Sequence, residues 1–368
     1  MMLDGVRIIE IEGLGPGPFA GMLLADLGAD VIVLHRDGAG PTVTTDNSLL
    51  DRGKRSITLD LKDADDLEIA KELIKTADGL IEGFRPGVME RLGLGPALCH
   101  SLNPALAYGR MTGWGQDGPR AKMAGHDLNY IATSGALYYA SEPNSPPITP
   151  ATLLGDIGGG ALYLAVGLLS AILKARDTGK GCVVDAAIVD GSAHMMNLLM
   201  AIGQNGDLSE ERGQSLLDGP HWSRIYRCMD GGHLSVQCLE PKFYAQFLDL
   251  MGLQDDPVFK PQFKRALWPD QTASLGAIFA AKPLRHWAAL FEGSDACVAP
   301  VLSPQQAAAD PHMKARDIWQ MANGAFQAAA APRFSGTAPK INPAPERGQH
   351  SAEIRAEIQA QLRAANTP

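Results

Sequence analysis

Apolar runs and helical stretches alternate through the first hundred residues, and this alternation leaves few architectures open. Residues 6–11 form a short apolar run that breaks at a Gly/Pro turn, 13–18. A helical apolar stretch, 19–27, stops at Gly28, and a second run occupies 31–34. Residues 56–61 read as a strand and 63–75 as an amphipathic helix, while 79–81 and 105–108 supply two more apolar runs. Such alternation predicts an α/β fold, a parallel sheet with helices on its faces. Its crossovers are right-handed, and ligands collect at the carboxyl ends of the strands.

The rest of the chain changes texture. Residues 155–175 read as a turn and a long buried helix, 183–186 as another strand, and 187–204 as a helix rich in Met and Leu. From Arg224 a hairpin-like alternation, 226–237, surrounds Asp230-Gly231-Gly232, and helices are expected around 243–251 and 284–291. This predicts a smaller α+β domain. Residues 332–349 are loop-like, and Ser351 is placed to cap an amphipathic helix with Ile354, Ile358 and Leu362 on one face.

Charge decides what class of ligand fits. The chain has 32 basic and 41 acidic side chains, a formal charge of 32 − 41 = −9, which argues against a nucleic-acid partner. An anionic ligand therefore needs a local cluster of cations. The longest charge-free apolar stretch, 157–173, has 17 residues and four glycines, and reads as a buried helix, so no membrane partner is expected. The N-terminal segment lacks a signal-peptide layout, and the last residues carry no peroxisomal tripeptide. Five scattered cysteines without a CxxC pair fit reduced thiols, a cytoplasmic location and no metal.

Gly15-Pro16-Gly17-Pro18-Phe19-Ala20 matches the dinucleotide fingerprint formally. The second strand, however, ends Leu34-His35-Arg36, without the acid that bonds ribose hydroxyls, and two prolines remove N–H donors from the turn. A tight strand-to-helix turn without a nicotinamide cofactor is expected. P-loop, HExxH and GxSxG signatures are missing from the sequence.

Three segments concentrate glycines around polar side chains. They are 113–119 with 124–130 (GWGQDGP and AGHDLNY), 154–160 (LGDIGGG) and 238–244 (CLEPKFY). Glycines there allow main-chain donors and a side chain to approach one reacting atom. Asp156 precedes a glycine-rich helix start, whose dipole favours the ionised carboxylate; the simpler role is an N-cap. His126 beside Asp127, and Glu240 before Pro241, have equally plain structural alternatives as hydrogen-bonding or turn residues.

Segments spread almost from end to end carry a family resemblance: LDGVRIIEIEGLGPGPFAGMLLADLGADVI, DRGKRSITLDLK, IEGFRPGVMERLGLG, AGHDLNYIATSGAL, GDIGGGALYLAVGLLSA and LEPKFYAQFL. The chain resembles the family III CoA-transferase and racemase group, most closely its α-methylacyl-CoA racemases. This implies a Rossmann-like large domain with a smaller α+β domain in an interlocked homodimer, the active site lying where the large domain of one subunit meets the small domain of the other. The domains would be 1–186 completed by 331–368, a linker helix 187–223, a small domain 224–304 and a return linker 305–330.

The resemblance also implies roles. Asp156 is the position both branches use, as nucleophile in transferases and as acid/base group in racemases. Gly125-His126-Asp127 looks like the racemase pattern, because the transferases usually carry an aromatic residue at the histidine. His126 and Asp156 would then be two acid/base groups on opposite faces of the carbon next to an acyl-CoA thioester. Glu240 would bond His126, and the Asp127 backbone N–H would meet the thioester oxygen. For the CoA moiety, Arg36, Arg52, Lys54, Leu61, Lys62, Arg85, Arg91 and Tyr130 are the expected contacts, with no other cofactor. The alternative is a family III CoA-transferase working through an Asp156 anhydride and thioester. Residues 34–37 and 218–226 depart from the racemase pattern, the first bearing on the adenosine contacts and the second on the acyl pocket.

Overall fold

A computed structural model describes residues 1–38, 48–336 and 340–365, so part of the 332–349 loop, residues 337–339, lies outside the described residues. The chain divides into two compact units. One comprises Met1–Ala136, Pro150–Met195 and Lys314–Pro368, the other Leu137–Thr149 and Met196–Met313.

In the first unit six parallel strands form one sheet: β1 (Arg7–Ile11), β2 (Asp30–His35), β3 (Arg55–Thr58), β4 (Gly79–Glu82), β5 (Ala107–Thr112) and β6 (Val183–Ala187). Their order is β3-β2-β1-β4-β5-β6, with the reversal between β1 and β4 that opens a ligand crevice at the carboxyl edge of such sheets. The helices are α1 (Pro16–Asp26), α2 (Ala64–Lys75), α3 (Val88–Arg91), α4 (Pro96–Leu102), α5 (Asp127–Ser134), α6 (Leu162–Thr178) and α7 (Ile188–Met195), with a last helix at Ser351–Ala365.

Both faces of the central strands are covered, which is why β1, β2 and β4 are largely apolar runs, whereas the edge strand β6 leaves Val183 exposed. Ile8 and Val31 pack with Leu24 of α1 and Leu164, Leu168 and Ile172 of α6. On the other face Ile9, Ile32 and Tyr108 pack with Leu73 and Ile74 of α2, Cys99 of α4, and Ile354 and Ile358. Leu362, expected on that same stripe, is 41% exposed, so the buried stripe of the last helix is Ile354 and Ile358. The Ser351 hydroxyl accepts the Thr58 N–H, tying that helix to β3.

By length and composition the helical run Leu153–Thr178 is apolar enough to cross a membrane. Here Leu164, Ala165, Leu168, Ala171, Ile172 and Ala175 are buried in the unit, while Leu162, Val166 and Leu173 are exposed. A hairpin, Trp319–Ala322 with Ala325–Ala328, turns at Asn323-Gly324, both with positive φ. The sequence reading placed no element there.

The second unit contains the antiparallel sheet β7 (Ser223–Arg227), β8 (His233–Gln237) and β9 (Val298–Pro300), with the hairpin turn at the expected Asp230-Gly231-Gly232. Helices α8 (Asn197–Gln204), α9 (Pro241–Met251), α10 (Trp268–Ala280) and α11 (Leu284–Phe291) accompany it. The predicted 187–204 helix is thus two, α7 and α8. Aromatic side chains dominate this core: Trp222, Phe247, Phe259, Phe279, Trp287 and Phe291. Gln262 donates from Nε2 to the carbonyls of Cys238 and Leu239 at 3.1 and 2.9 Å, fixing the chain that enters α9.

Candidate active site

Asp156 stands in a π-helical turn, Leu153–Ala161, that runs directly into α6. Wide turns of this kind recur at functional positions because they displace a side chain from the regular helical stripe. The sequence permits it through glycine. A Cβ on Gly155 would lie 2.5 Å from Asp127 Oδ1, and one on Gly159 would lie 2.3 Å from the Ser192 hydroxyl. Neither approach is open to a larger residue.

The carboxyl of Asp156 faces the β1–α1 turn, with Oδ2 within 3.8 Å of where a Gly15 Cβ would sit. It is only partly exposed, and its pKa is raised to about 6, first by burial and then by the Asp127 charge, against an opposing effect of His126. The expected helix-dipole stabilisation of its anion is therefore outweighed: desolvation and a like charge win over the end of the helix. Nor is Asp156 the N-cap. That position belongs to Thr152, which makes no side-chain capping bond.

His126 is the N-cap residue of α5, exposed, with extended backbone (φ −138°, ψ 175°). Its own N–H is accepted by Asn129 Oδ1 at 3.0 Å, which holds the histidine at the helix mouth. Asp127 is the first residue of α5, so its N–H has no acceptor within the helix and faces outward with the positive end of the dipole. The Asp127 side chain turns inward and is buried. Its Oδ1 accepts the N–H groups of Gly155 and Asp156 at 2.9 and 2.8 Å. Tyr130 completes the wall: its ring meets Trp114 edge-on at 4.8 Å, and its hydroxyl donates to the Gly125 carbonyl. Burial and then the Asp156 charge raise its phenol pKa.

The predicted CoA contacts fall into several places. Arg36, Leu61 and Lys62 meet around one cavity of about 230 Å³, whose other walls include Ile11, Leu34, Leu59, Phe84 and Leu92. It lies at the carboxyl ends of β1 and β2, mostly apolar, with two cations and the carboxylates of Glu12 and Asp60 in its lining. Arg85, just before α3, and Arg91, its last residue, are exposed. Arg52 is buried against Asp26 at 2.6 Å and also donates to Gln327 and the Ala328 carbonyl. Lys54 is sealed between Glu10 at 2.7 Å and Asp51 at 3.2 Å, and burial pushes Glu10 up to about 7 despite that partner. Tyr130 lies in the wall already described. Glu240 belongs to the second unit: exposed, the N-cap residue of α9, with no side-chain capping bond of its own. No group of three or more His, Cys, Asp or Glu side chains able to hold a metal ion occurs among the described residues.

Two features escaped the sequence reading. The Asp127 carboxylate and the Asp156 backbone meet across 29 positions, and nothing in either motif announces it. The Glu10–Lys54–Asp51 cluster was hidden because charged residues inside a strand and its loops look the same whether buried or solvated.

The six-stranded parallel sheet thus carries a histidine and a half-buried carboxylate on the elements that follow β5. Comparison with known proteins gives the class: residues 3–351 match the model of CoA-transferase family III, and the chain belongs to that family. It is 38% identical over 359 residues to "Alpha-methylacyl-CoA racemase" of Mus musculus, covering 96% of this chain and 92% of that protein. It is also 30% identical to "Acetyl-CoA:oxalate CoA-transferase" of Acetobacter aceti, covering 97% and 96%. Among solved structures, a CaiB/BaiF family protein from Brucella suis superposes with a TM-score of 0.80 at 26% identity, covering 96% of this chain and 98% of that one.

Proposed function

We propose that the enzyme inverts the α-carbon of 2-methylacyl-CoA thioesters by proton transfer through an enolate. One observation carries this reading: Asp156, with its carboxyl at about 6, lies within electrostatic reach of a histidine at the mouth of α5. Inversion needs two groups that exchange roles, one giving a proton on one face while the other takes it on the opposite face. A carboxyl near 6 can do either at neutral pH, whereas one at its ordinary value is a poor acid. Each group contributes on the order of 10²–10⁴ in rate. The outward Asp127 N–H at the α5 terminus is suited to the developing enolate oxygen, a contribution on the order of 10²–10³.

The CoA moiety is assigned to the cavity beside Arg36, Leu61 and Lys62, where apolar walls suit an aromatic base and the cations suit phosphates. Arg85 and Arg91 extend the positive rim. Arg52 and Lys54, already engaged with the chain's own carboxylates, support the loop that shapes this edge. The functional form is proposed to be an interlocked homodimer in which Glu240 crosses the subunit boundary to orient His126. The exposed Leu162, Val166 and Leu173 on one side of α6 support burial by a second chain.

A resolved 2-methylacyl-CoA incubated with the enzyme in deuterated water is expected to racemise and gain one deuterium at C2. Absence of both, across straight and branched acyl groups, contradicts the reading. The transferase alternative, an Asp156 acyl anhydride followed by a thioester, is favoured instead by donor-dependent inactivation with hydroxylamine.

A further inference from the structure

The π-helical turn that carries Asp156 opens with N–H groups that have no acceptor inside the helix, and the side chain of its N-cap, Thr152, caps none of them. The missing acceptor comes from another element. Asp127 Oδ1 takes the N–H of Gly155 and of Asp156, and Asp127 Oδ2 is buried with no hydrogen bond among the described residues. We infer that the Asp127 carboxylate is a positioning residue: it caps the Asp156 turn from 29 residues away and fixes the backbone that carries the Asp156 carboxyl, within electrostatic reach of His126.

The geometry joins both ends of the site through one residue. The backbone of Asp127 forms the mouth of α5 next to His126, and its side chain holds the backbone of Asp156. A shift of α5 therefore moves both reacting groups together. Gly155 is part of the device, since a Cβ there would meet Asp127 Oδ1 at 2.5 Å and Ile131 Cγ2 at 2.8 Å. The carboxylate also acts through its charge. The charged groups that act on Asp156 are Asp127, which raises its pKa, and His126, which lowers it; from the same helix, Tyr130 feels the Asp156 charge. An anion at Asp127 thus keeps Asp156 protonated to higher pH than burial alone does.

This inference rests on reading Asp156 as an acid/base group, and the test separates the two. Asp127→Asn keeps the carbonyl acceptor and the N–H of residue 127 but removes the charge. The acid limb of the exchange-rate profile is expected to move down by roughly half a unit or more. Asp127→Glu keeps the charge but displaces the oxygen, so kcat is expected to fall on the order of 10²-fold with the acid limb nearly unmoved. Carbon-13 titration of Asp156 in the substrate-free protein, assigned with Asp156→Asn, reads the same shift without turnover. Should the wild type exchange no α-proton, the functional reading fails while this titration still decides the inference. An unmoved Asp156 titration in Asp127→Asn, or full turnover in Asp127→Glu, overturns it.

Discussion

At the scale of single residues, Asp156 trades stability for reactivity. Its folded pKa, about 6, lies above the ordinary 3.8, raised by burial first and by Asp127 second. Between those values the folded chain binds more protons than the unfolded one, so stability falls as pH rises through the window, and the full penalty is present above pH 6. Replacing the carboxyl by an amide removes the penalty. Asp156→Asn is expected to lose turnover yet gain on the order of 1 kcal/mol at pH 7.5, after allowance for its partial exposure, and much less at pH 4. Denaturant melts at both pH values read this, and a variant less stable than wild type at pH 7.5 contradicts the account. The same residue shows what was legible beforehand. Asp156 and His126 stand out because their flanking glycines mark close approach, but the pKa shift is set first by burial and second by the inward Asp127 carboxylate, and no local pattern encodes either.

At the scale of elements, the sheet was readable because central strands covered on both faces must be apolar runs, and β1, β2, β4 and β5 fall on or beside such runs, while the edge strands β3 and β6 overlap segments read as strands on other grounds. The β7–β8 hairpin was readable from its Asp-Gly-Gly turn. The Trp319–Ala322 hairpin was not found, although Asn323-Gly324 is the turn chemistry that such hairpins prefer. Its strands are only four residues each, too short to stand out as runs. Helix α10 was missed for another reason: it begins Trp268-Pro269, and proline, a breaker elsewhere, is well suited to the first turn of a helix. The π-turn was invisible as such. Four glycines and an aspartate predict a helix start, and the wider turn is packed against α1, α5 and α7, which a local pattern does not reveal.

At the scale of the whole molecule, the net charge of −9 requires any anionic thioester to be held by local cations, and the cavity lined by Arg36 and Lys62, together with Glu12 and Asp60, is the place proposed for it. The proposed interlocked dimer has a genetic consequence. If each site combines His126 of one chain with Glu240 of the other, co-expressed His126→Ala and Glu240→Ala chains form mixed dimers with one intact site each. Activity well above either parent is expected; none is expected if both residues of a site belong to one chain.

The central claim, two groups on opposite faces of one carbon, is tested most directly by stereospecific exchange with single variants. His126→Ala and Asp156→Ala are each incubated in deuterated water with each resolved 2-methylacyl-CoA enantiomer. The account predicts that neither variant racemises, and that each exchanges the α-proton of one enantiomer only, the two variants choosing opposite hands. Equal exchange of both enantiomers by either variant would mean that one base serves both faces, contradicting the claim.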